Sequence, residues 1–460
     1  KVELKTQYAS DELKKVTVTA VCGDKRGNVL YVNAGAEIAF EVNKNGFDRN
    51  LSVMFSQALT NGIYTLSILH VEGSAVTITC DVSEDTVDYS WYYDKDEQEY
   101  KSSPYEIKTE AQLLAFAALV NGTASLSSIT GENTVATRSD NFSGKTVQLA
   151  DNIELSAAAA WTPVGDASGK AFSGTFDGKG HTIRGLTDPL FGYVQNGTLQ
   201  NVTLENVSIN KTDKAAAGLV CYLQEQSIIR NCTVSGKVEV TRNSASGIVY
   251  LAGAGSKIES CVNKATITIT NGSNTSYAGG IVANFGGSEL KLCQNSGTIA
   301  GPVAGGIIGY RSTKGGDIRN CLNANGAAVN GTAYAGGIIG QIYVIGIGSD
   351  QSFAVDNCRN EAAVTVSGTN AYAGGVIGFA NTTSWQPAKV TAVNLANIGA
   401  VTAESGTAGG VIGGKHQKVV LVLHNSYNHG AVTGSQAYGL SGAGDITNSY
   451  YVCRVNAEDK

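Results

Sequence analysis

Gly336-Gly337-Ile338-Ile339 is one copy of a short phrase that residues 215–450 repeat. The other copies, in which the first glycine can be replaced, are Ala217-Gly218-Leu219-Val220, Ser246-Gly247-Ile248-Val249, Gly279-Gly280-Ile281-Val282, Gly305-Gly306-Ile307-Ile308, Gly374-Gly375-Val376-Ile377, Gly409-Gly410-Val411-Ile412 and the degenerate Tyr438-Gly439-Leu440-Ser441. The second glycine recurs at steps of 26 to 38 residues. Such a period indicates a solenoid, in which each unit buries its apolar face against its neighbours.

Two further phrases occur within the units. One ends in cysteine or a substitute for it, as in Ile318-Arg319-Asn320-Cys321, and the next begins with asparagine, as in Asn295-Ser296-Gly297-Thr298-Ile299. Each unit therefore has three short apolar runs separated by Gly or Asn, which are typical of strands and turns. The pattern predicts an all-β fold, a right-handed parallel β-helix with three short strands per coil. Parallel pairing would raise each coil by about 4.8 Å and align equivalent side chains in columns.

Composition agrees with turn-rich stacked strands. Glycine accounts for 56 of the 460 residues, and charged residues make up 16% of the chain, against about 25% in average globular proteins. The net charge of −6 argues against nucleic acid as a partner. No stretch approaches the ~20 apolar residues that a membrane span needs.

Residues 1–90 differ from the repeats. Alternating runs such as Val16–Cys22 and Val76–Val82 predict a small β-sandwich that precedes a second domain, residues 91–460. Cys22 and Cys80 share the parity of the apolar residues in their runs, so both are expected to point inward and to lie near each other. Whether they form a disulfide is left open.

A capping box, Thr109-Glu110-Ala111-Gln112, opens the one convincing helix, which is predicted to span about 109–121 and to end at Asn121-Gly122. Its expected role is to cover the apolar edge of the first coil. The following residues, 123–141, show no clear period.

Five of the nine cysteines occupy one position of the repeat: Cys232, Cys261, Cys293, Cys321 and Cys358. We predict that they are small buried hydrophobic residues, because free cysteine is among the most buried residue types. Zinc is not expected, because cysteines one coil apart lack the short spacing of structural zinc sites.

Several motifs precede the repeats in a recognisable order. They are Trp91-Tyr92, Tyr105-Glu106-Ile107, Leu119-Val120-Asn121-Gly122, Gly144-Lys145-Thr146-Val147-Gln148-Leu149, Trp161-Thr162-Pro163-Val164-Gly165, Phe172-Ser173-Gly174-Thr175-Phe176-Asp177-Gly178-Lys179-Gly180 and Leu190-Phe191-Gly192. Over roughly residues 90–450, the chain resembles bacterial surface proteins built on the GLUG repeat (Gly-Leu-any-Gly). Most repeats here depart from that name and read Gly-Gly-Ile-Ile-Gly.

The first 90 residues are similar, more loosely, to fimbrillin-like or immunoglobulin-like modules. Together these resemblances imply an exported lipoprotein of the cell surface or outer membrane. They imply membrane contact only through an N-terminal lipid anchor that is not seen in this sequence. The GLUG repeat carries no catalytic residues that could be transferred to this chain.

Carboxylates are sparse in the repeats. A glycosidase needs two of them about 5–10 Å apart. The acids of residues 215–450 are Glu225, Glu239, Glu259, Glu289, Asp317, Asp350, Asp356, Glu361, Glu404 and Asp445. Asp356 and Glu361 share a coil but flank the Cys358 turn, and Glu259 lies three coils from Asp356. No catalytic residue is therefore predicted.

Metal sites are not predicted either. His416, His424 and His429 are close in sequence, but exposed turn histidines explain them better than metal ligation. Asp177-Gly178-Lys179-Gly180 is better explained by a hairpin turn than by a calcium loop. No cofactor is expected.

The candidate ligand-binding residues are aromatic. Tyr277, Tyr334 and Tyr372 each stand two residues before the first Gly of a Gly-Gly pair, whereas Val303 and Thr407 interrupt the series. Tyrosine offers a flat apolar face with a polar tip, which suits sugar rings. The alternative is that these rings pack on the turn of the next coil.

The function predicted from these observations is that of a non-catalytic adhesin or recognition protein, not an enzyme. Its partner would be a glycan or a host or cell-surface protein, bound along the solenoid. One alternative is a polysaccharide-active lyase or glycosidase on the same fold. The other is a structural spacer on the cell surface.

Overall fold

The computed structural model divides the chain into two compact units, Lys1–Thr86 and Val87–Lys460. In the first unit the structure describes only the backbone of seven strands. In the second it describes residues 87–460 apart from 132–135, 157–160, 313–315, 345–353, 383–387, 457 and 460.

The strands of the first unit form two antiparallel sheets. Their orders are Val2–Thr6, Arg49–Val53, Ile38–Val42 in one sheet and Val29–Val32, Thr17–Gly23, Gly62–Leu69, Ala75–Val82 in the other. Cys22 and Cys80 both pair with Tyr64, from opposite sides of its strand. A whole strand therefore separates their backbones by about 9–10 Å, more than the ~7 Å limit for a disulfide. The register brings the two cysteines near each other, as expected, but does not favour a bond between them.

Three long sheets dominate the described part of the second unit. The twelve-stranded sheet comprises Tyr105–Ile107, Thr146–Leu149, Thr175–Asp177, Thr198–Gln200, Ile228–Arg230, Lys257–Glu259, Glu289–Lys291, Asp317–Arg319, Ala354–Asp356, Ala388–Val393, Val419–His424 and Asp445–Thr447. The eight-stranded sheet comprises Phe191–Gln195, Val220–Gln224, Val249–Ala252, Val282–Phe285, Ile308–Arg311, Ile339–Tyr343, Ile377–Asn381 and Ile412–Lys415.

The third sheet has 23 strands, because the repeat units of residues 233–438 contribute two or three short segments each. It comprises Ile153–Glu154, Thr182–Arg184, Thr203–Lys211, Ala216–Ala217, Thr233–Val240, Ala245–Ser246, Val262–Asn263, Thr266–Ile269, Tyr277–Gly279, Gln294–Asn295, Thr298–Gly305, Leu322–Asn323, Ala328–Gly336, Arg359–Asn360, Ala363–Val366, Tyr372–Gly374, Ala396–Asn397, Val401–Gly409, Tyr427–Asn428, Val432–Tyr438, Tyr450–Tyr451, Arg454–Val455 and Glu458–Asp459. Only the last strand is antiparallel to its neighbour.

Each strand of a repeat pairs in parallel with the equivalent strand of the next repeat. Ile229, for example, pairs with Ile258, and Ile258 pairs with Leu290. All three side chains are fully buried. The core is thus a set of aliphatic columns, and the predicted all-β class is confirmed, with long parallel sheets.

Helix α1, Glu110–Val120, begins where the capping box predicts, with Thr109 Oγ1 accepting a hydrogen bond from the Gln112 amide. The return bond of the box reaches the Lys108 amide instead of that of Thr109. The Phe116 ring stacks on Phe176 of the twelve-stranded sheet, with centroids 5.7 Å apart. None of the described helices is both long enough and apolar enough to cross a membrane.

The segment after α1 is more regular than its sequence indicates. It holds a short helix, α2, Leu126–Thr130, and the antiparallel pair Ala124–Ser125 and Thr137–Arg138. The remaining small elements are the pair Tyr93–Asp94 and Glu99–Tyr100 and the 3-10 turn Ser168–Lys170. Runs this short carry no period that sequence reasoning could detect.

The five repeat cysteines are free and buried, as predicted: Cys232, Cys261, Cys293, Cys321 and Cys358 are at most 2% exposed. Each thiol lies 3.3–3.4 Å from the carbonyl oxygen two residues earlier. The residue between them has a positive φ of 50–56°. Asparagine tolerates this conformation best, which explains why it so often precedes the cysteine.

A column of asparagines is buried beside the glycine phrase, and the sequence analysis treated these residues only as turns. Its members are Asn263, Asn295, Asn323, Asn360, Asn397 and Asn428, at most 1% exposed. The side-chain amide of each of the first five donates to the side-chain oxygen of the next asparagine at 2.7–2.8 Å. We call this set the asparagine column.

The asparagine column explains the second glycine of the repeat phrase. A Cβ atom on Gly337 would lie 2.1 Å from the Gly375 carbonyl oxygen and 2.2 Å from Cγ of Asn360. Real Cβ atoms do not approach other atoms so closely, so any side chain here would push two repeat units apart.

Candidate functional site

Aromatic rings line the outward face of the eight-stranded sheet and the adjoining edge of the 23-stranded sheet. We call this set the aromatic strip; its members are Tyr193, Tyr222, Tyr250, Tyr277, Tyr310, Tyr334, Tyr343, Tyr372 and Phe379. The tyrosines are partly exposed and Phe379 is 8% exposed. The strip includes all three tyrosines predicted from the sequence.

The rings of the strip stack across neighbouring repeat units. Tyr193 lies on Tyr222 with centroids 4.4 Å apart and planes 6° from parallel. Tyr277 stacks on Tyr310 at 4.4 Å, and Tyr334 stacks on Phe379 at 4.8 Å. Both partners of Tyr277 and Tyr334 belong to the following unit. The predicted tyrosines therefore pack on the next coil and still keep part of each ring exposed.

The strand register explains why the series of Tyr277, Tyr334 and Tyr372 is interrupted. Val303 occupies the place of Tyr277 and Tyr334 in its own unit, but Tyr310 supplies a ring on the adjacent strand. Tyr222, Tyr310 and Phe379 each stand four residues after the second glycine position, so their period was present in the sequence. It was overlooked because Leu251, Asn284 and Gln341 interrupt it.

Partial burial of the rings affects their chemistry. Burial, with nearby Tyr250 and Tyr193, raises the pKa of Tyr222 to about 12. Burial also raises the pKa of Tyr277, with smaller contributions from Tyr250 and Tyr343. The phenols of Tyr222 and Tyr277 are therefore neutral hydrogen-bonding groups at physiological pH.

A notch of about 310 Å³ borders the strip. Its lining includes Thr270, Asn271, Pro302, Asn330, Thr332 and Ser367. It arises because one repeat unit is short at this point. Ile267 pairs with Ile299, and Tyr277 pairs with Val303. Nine residues lie between Ile267 and Tyr277 in one unit, but only three lie between Ile299 and Val303 in the next. The short unit forms the floor between longer neighbours.

The acidic residues considered for catalysis lie mainly on the outward face of the twelve-stranded sheet. Register places Glu289 opposite Asp317, on adjacent strands, a pairing that the sequence analysis did not find. Both carboxylates form salt bridges, Glu289 with Lys291 at 3.2 Å and Asp317 with Arg319 at 2.5 Å. Glu259 also lies 3.7 Å from Lys291. On this face of the sheet, the charges of the acidic side chains are balanced by neighbouring basic side chains.

Asp356 and Glu361 each have their own partner. An Asp356 oxygen accepts from the Asn394 amide at 2.9 Å, and Glu361 lies 2.6 Å from Arg359. Neither bond links the two acids, so nothing here assembles them into a catalytic pair.

The histidines do not share a site. His416 follows the last strand of the eight-stranded sheet, and His424 ends a strand of the twelve-stranded sheet, where it contacts Thr447. His429 follows a strand of the 23-stranded sheet. Asp177 accepts hydrogen bonds from the Lys179 backbone amide and from Asn201, which form a turn. The predicted hairpin is wrong, because the flanking strands Thr175–Asp177 and Thr182–Arg184 belong to different sheets and do not pair with each other.

The comparison with protein families finds one informative match. A model described as the N-terminal region of the M26 IgA1-specific metallo-endopeptidases matches residues 141–236, about a fifth of the 460 residues. The matched segment contains the first strands of the eight-stranded and 23-stranded sheets. In the twelve-stranded sheet it begins at the second strand, because the first, Tyr105–Ile107, precedes it. No curated protein matches the sequence.

Two solved structures are similar at low identity. One is a Bacteroides ovatus protein assigned as an immunoglobulin A1 protease, 16% identical over 78% of both chains, with a TM-score of 0.30. The other is described as an IgA1 protease, 14% identical over 95% of this chain and 28% of its own length, with a TM-score of 0.34. Superpositions this loose do not carry a function over to this chain.

The functional prediction from the sequence is corrected by these comparisons. A non-catalytic, carbohydrate-binding adhesin was expected, whereas the family model that matches is that of a proteolytic enzyme. The prediction that the protein is not an enzyme is contradicted by this match. A polysaccharide-active enzyme and a surface spacer, the two alternatives, are not supported either.

A metallo-endopeptidase needs ligands for a metal ion. Within the described ranges, no group of three or more His, Cys, Asp or Glu side chains is arranged to hold one. The five histidines of the sequence include no His-Glu-x-x-His spacing, the common zinc-peptidase motif. The described residues do not fit a metal site, and peptide hydrolysis is not assigned to any of them.

Proposed function

We propose that this chain belongs to a peptidase of the IgA1-specific metallo-endopeptidase type, and that its second unit holds the protein substrate. The observation that carries the proposal is the match of residues 141–236 to the N-terminal region of that family. The substrate that the family name prints, immunoglobulin A1, is the partner we propose.

The architecture proposed for the second unit is a right-handed parallel β-helix with three strands per coil. It is supported by the contribution of each repeat to all three sheets and by the regular pairing of equivalent strands. A stack of this kind is rigid because every coil is packed between two others. It therefore presents a long surface of fixed shape to a large substrate, which limits the entropy lost on binding.

The location proposed for the protein is the cell surface, after export. The order of motifs that resembles GLUG-repeat surface proteins supports this location and the β-helix. The two antiparallel sheets of residues 1–86 support a fimbrillin-like or immunoglobulin-like module at the start of the chain. An extracellular location would give the chain access to an immunoglobulin.

Binding to intact immunoglobulin A1 tests this function. The purified chain is passed over immobilised immunoglobulin A1, with immunoglobulin G as the control surface, and saturable binding is measured. We expect binding to immunoglobulin A1 alone. Equal binding to both proteins, or to neither, would contradict the proposed substrate.

A further inference from the structure

We infer that the aromatic strip and the notch together bind an extended, uncharged segment of the protein substrate. This inference rests on the proposed function for the identity of the substrate and adds the place where it is held. It also states the chemical class of the segment that the surface recognises.

The absence of charge is the first argument. The outward positions of the first seven strands of the eight-stranded sheet carry Tyr, Gln, Leu, Asn and Phe, with no acidic or basic residue. None of the residues that line the notch is charged. A charged side chain bound here would lose water without gaining an opposite charge, which costs free energy. The surface therefore favours a neutral partner.

The exposed ring faces are the second argument. Soluble proteins rarely leave a contiguous run of aromatic side chains at the surface unless it contacts a partner. Tyrosine is enriched at protein interfaces because it combines a large apolar face with a hydroxyl group and few rotatable bonds. The hydroxyl groups of the strip can donate hydrogen bonds to, and accept them from, the backbone of a bound segment.

The dimensions of the strip are the third argument. It covers seven consecutive strands, from Phe191–Gln195 to Ile377–Asn381. Six strand spacings correspond to about 29 Å, the length of about nine residues of extended polypeptide. A compact domain surface would touch such a narrow row at only a few points, whereas an extended segment can follow it throughout.

The notch provides a lateral pocket for one side chain of that segment. Thr332 lies at its rim and is two residues from Tyr334, and Pro302 on its floor adjoins Val303. The lining offers the hydroxyl groups of Thr270 and Ser367 and the amide of Asn330. It suits a small neutral side chain with hydrogen-bonding groups.

Peptide binding to the full chain tests the inference. The probes are 12-residue synthetic peptides tiled over the immunoglobulin A1 heavy chain, and a set of random peptides sorted by charge. Two variants alter the surface: the double change Tyr277→Ala with Tyr334→Ala, and Thr332→Asp, which adds a charge at an exposed position. Tyr427→Ala is the matched control, because Tyr427 stacks on Tyr450 on another part of the stack.

We expect uncharged peptides to bind and to lose roughly 10- to 30-fold in affinity with the double variant. Thr332→Asp should lower the affinity for the same peptides. Because Thr332 is exposed, this variant should fold normally, so it tests the inference even if the double variant unfolds. Tyr427→Ala should bind as the unchanged chain does. The inference would be overturned if charged peptides bound as tightly as uncharged ones. It would also be overturned if uncharged peptides bound both variants with the same affinity as the unchanged chain.

The outcomes separate this inference from the proposed function. Binding of intact immunoglobulin A1 that is unaffected by the variants would overturn the role of the strip alone. Strip-dependent binding of random uncharged peptides, without binding of immunoglobulin A1 or its peptides, would support the strip and overturn the proposed substrate.

Discussion

Two columns of side chains run along the same stack of repeat units, the asparagine column inside it and the aromatic strip outside. Each asparagine amide bonds to the next, and Asn360 also makes two bonds to Ala362 in its own unit. Each ring of the strip contacts a neighbouring ring, stacked in some pairs and tilted or edge-on in others, and the tyrosines leave part of their surface open. The first column is complete within the protein, whereas the second has room for a partner.

This difference separates architecture from candidate function. Periodicity alone does not distinguish the two sets of residues, because members of both occupy equivalent positions in several repeat units. The polar groups of the asparagine column already have partners within the protein, so they offer no hydrogen bonds to a ligand. The partly exposed rings of the aromatic strip can still bury apolar surface on binding, which is favourable. Substitutions in the two columns should therefore affect different properties of the molecule.

The largest effect is expected from Asn360→Ala. The change removes the acceptor of the Asn323 side-chain amide, the donor to Asn397 Oδ1, and the two bonds that Asn360 makes to the Ala362 backbone. We expect the free energy of unfolding to fall by about 4 kcal/mol, because each orphaned polar group costs about 1–3 kcal/mol. Chemical denaturation measures it, with the exposed Asn330→Ala as control. A loss equal to that of the control would show that the column is not structural.

Gly337→Ala is expected to cost slightly less, about 3 kcal/mol, because the new methyl group meets the Gly375 carbonyl and Asn360. Gly169→Ala is the control, since a Cβ there meets nothing within 4 Å. Thermal or chemical unfolding compares the two variants. Equal stability of both would mean that the repeat phrase does not keep its glycine for close packing.

Tyr334→Ala sharpens the comparison from the other side. Loss of its stacking on Phe379 should lower the free energy of unfolding by only about 1 kcal/mol. Tyr334→Phe, which keeps the ring, should have almost no effect in the same unfolding experiment. If Tyr334→Ala destabilised the protein as much as Asn360→Ala does, the strip would be architecture and its binding role would lose support.

The smallest effect concerns the titration of Tyr222. Its pKa is raised to about 12 by burial and by nearby Tyr250 and Tyr193, whereas an unfolded tyrosine titrates near 10. The folded protein keeps this proton while the unfolded chain loses it, so the stabilising contribution is complete below about pH 10 and is lost as the pH rises to about 12.

Absorbance of tyrosinate measures this titration. Tyr222→Phe should remove one component with a midpoint near pH 12. A component that disappears near pH 10 instead would mean that the ring is fully solvated.

Much of the fold was open to sequence reasoning, and less of the site. The stacking of repeats, the buried cysteines and the start of helix α1 follow from local spacing and capping chemistry, which operate over a few residues. The aromatic strip was found in part, because Tyr277, Tyr334 and Tyr372 share one phrase. Its other members belong to a second, interrupted series on a different strand. The non-catalytic function was predicted wrongly, because the repeat phrase describes packing and carries no chemistry of its own.

By itself, the sequence determined that this protein stacks parallel strands, since Gly-Gly, Asn and Cys recur with apolar runs too short for any other use. Only the tertiary structure decided which residues of different units meet. The steps between repeats vary from 26 to 38 residues, and the register depends on where each extra loop residue is placed. That placement puts Tyr310 beside Tyr277, Glu289 opposite Asp317, and a notch where one unit is short, because strand pairing aligns the strands and leaves the loops to differ.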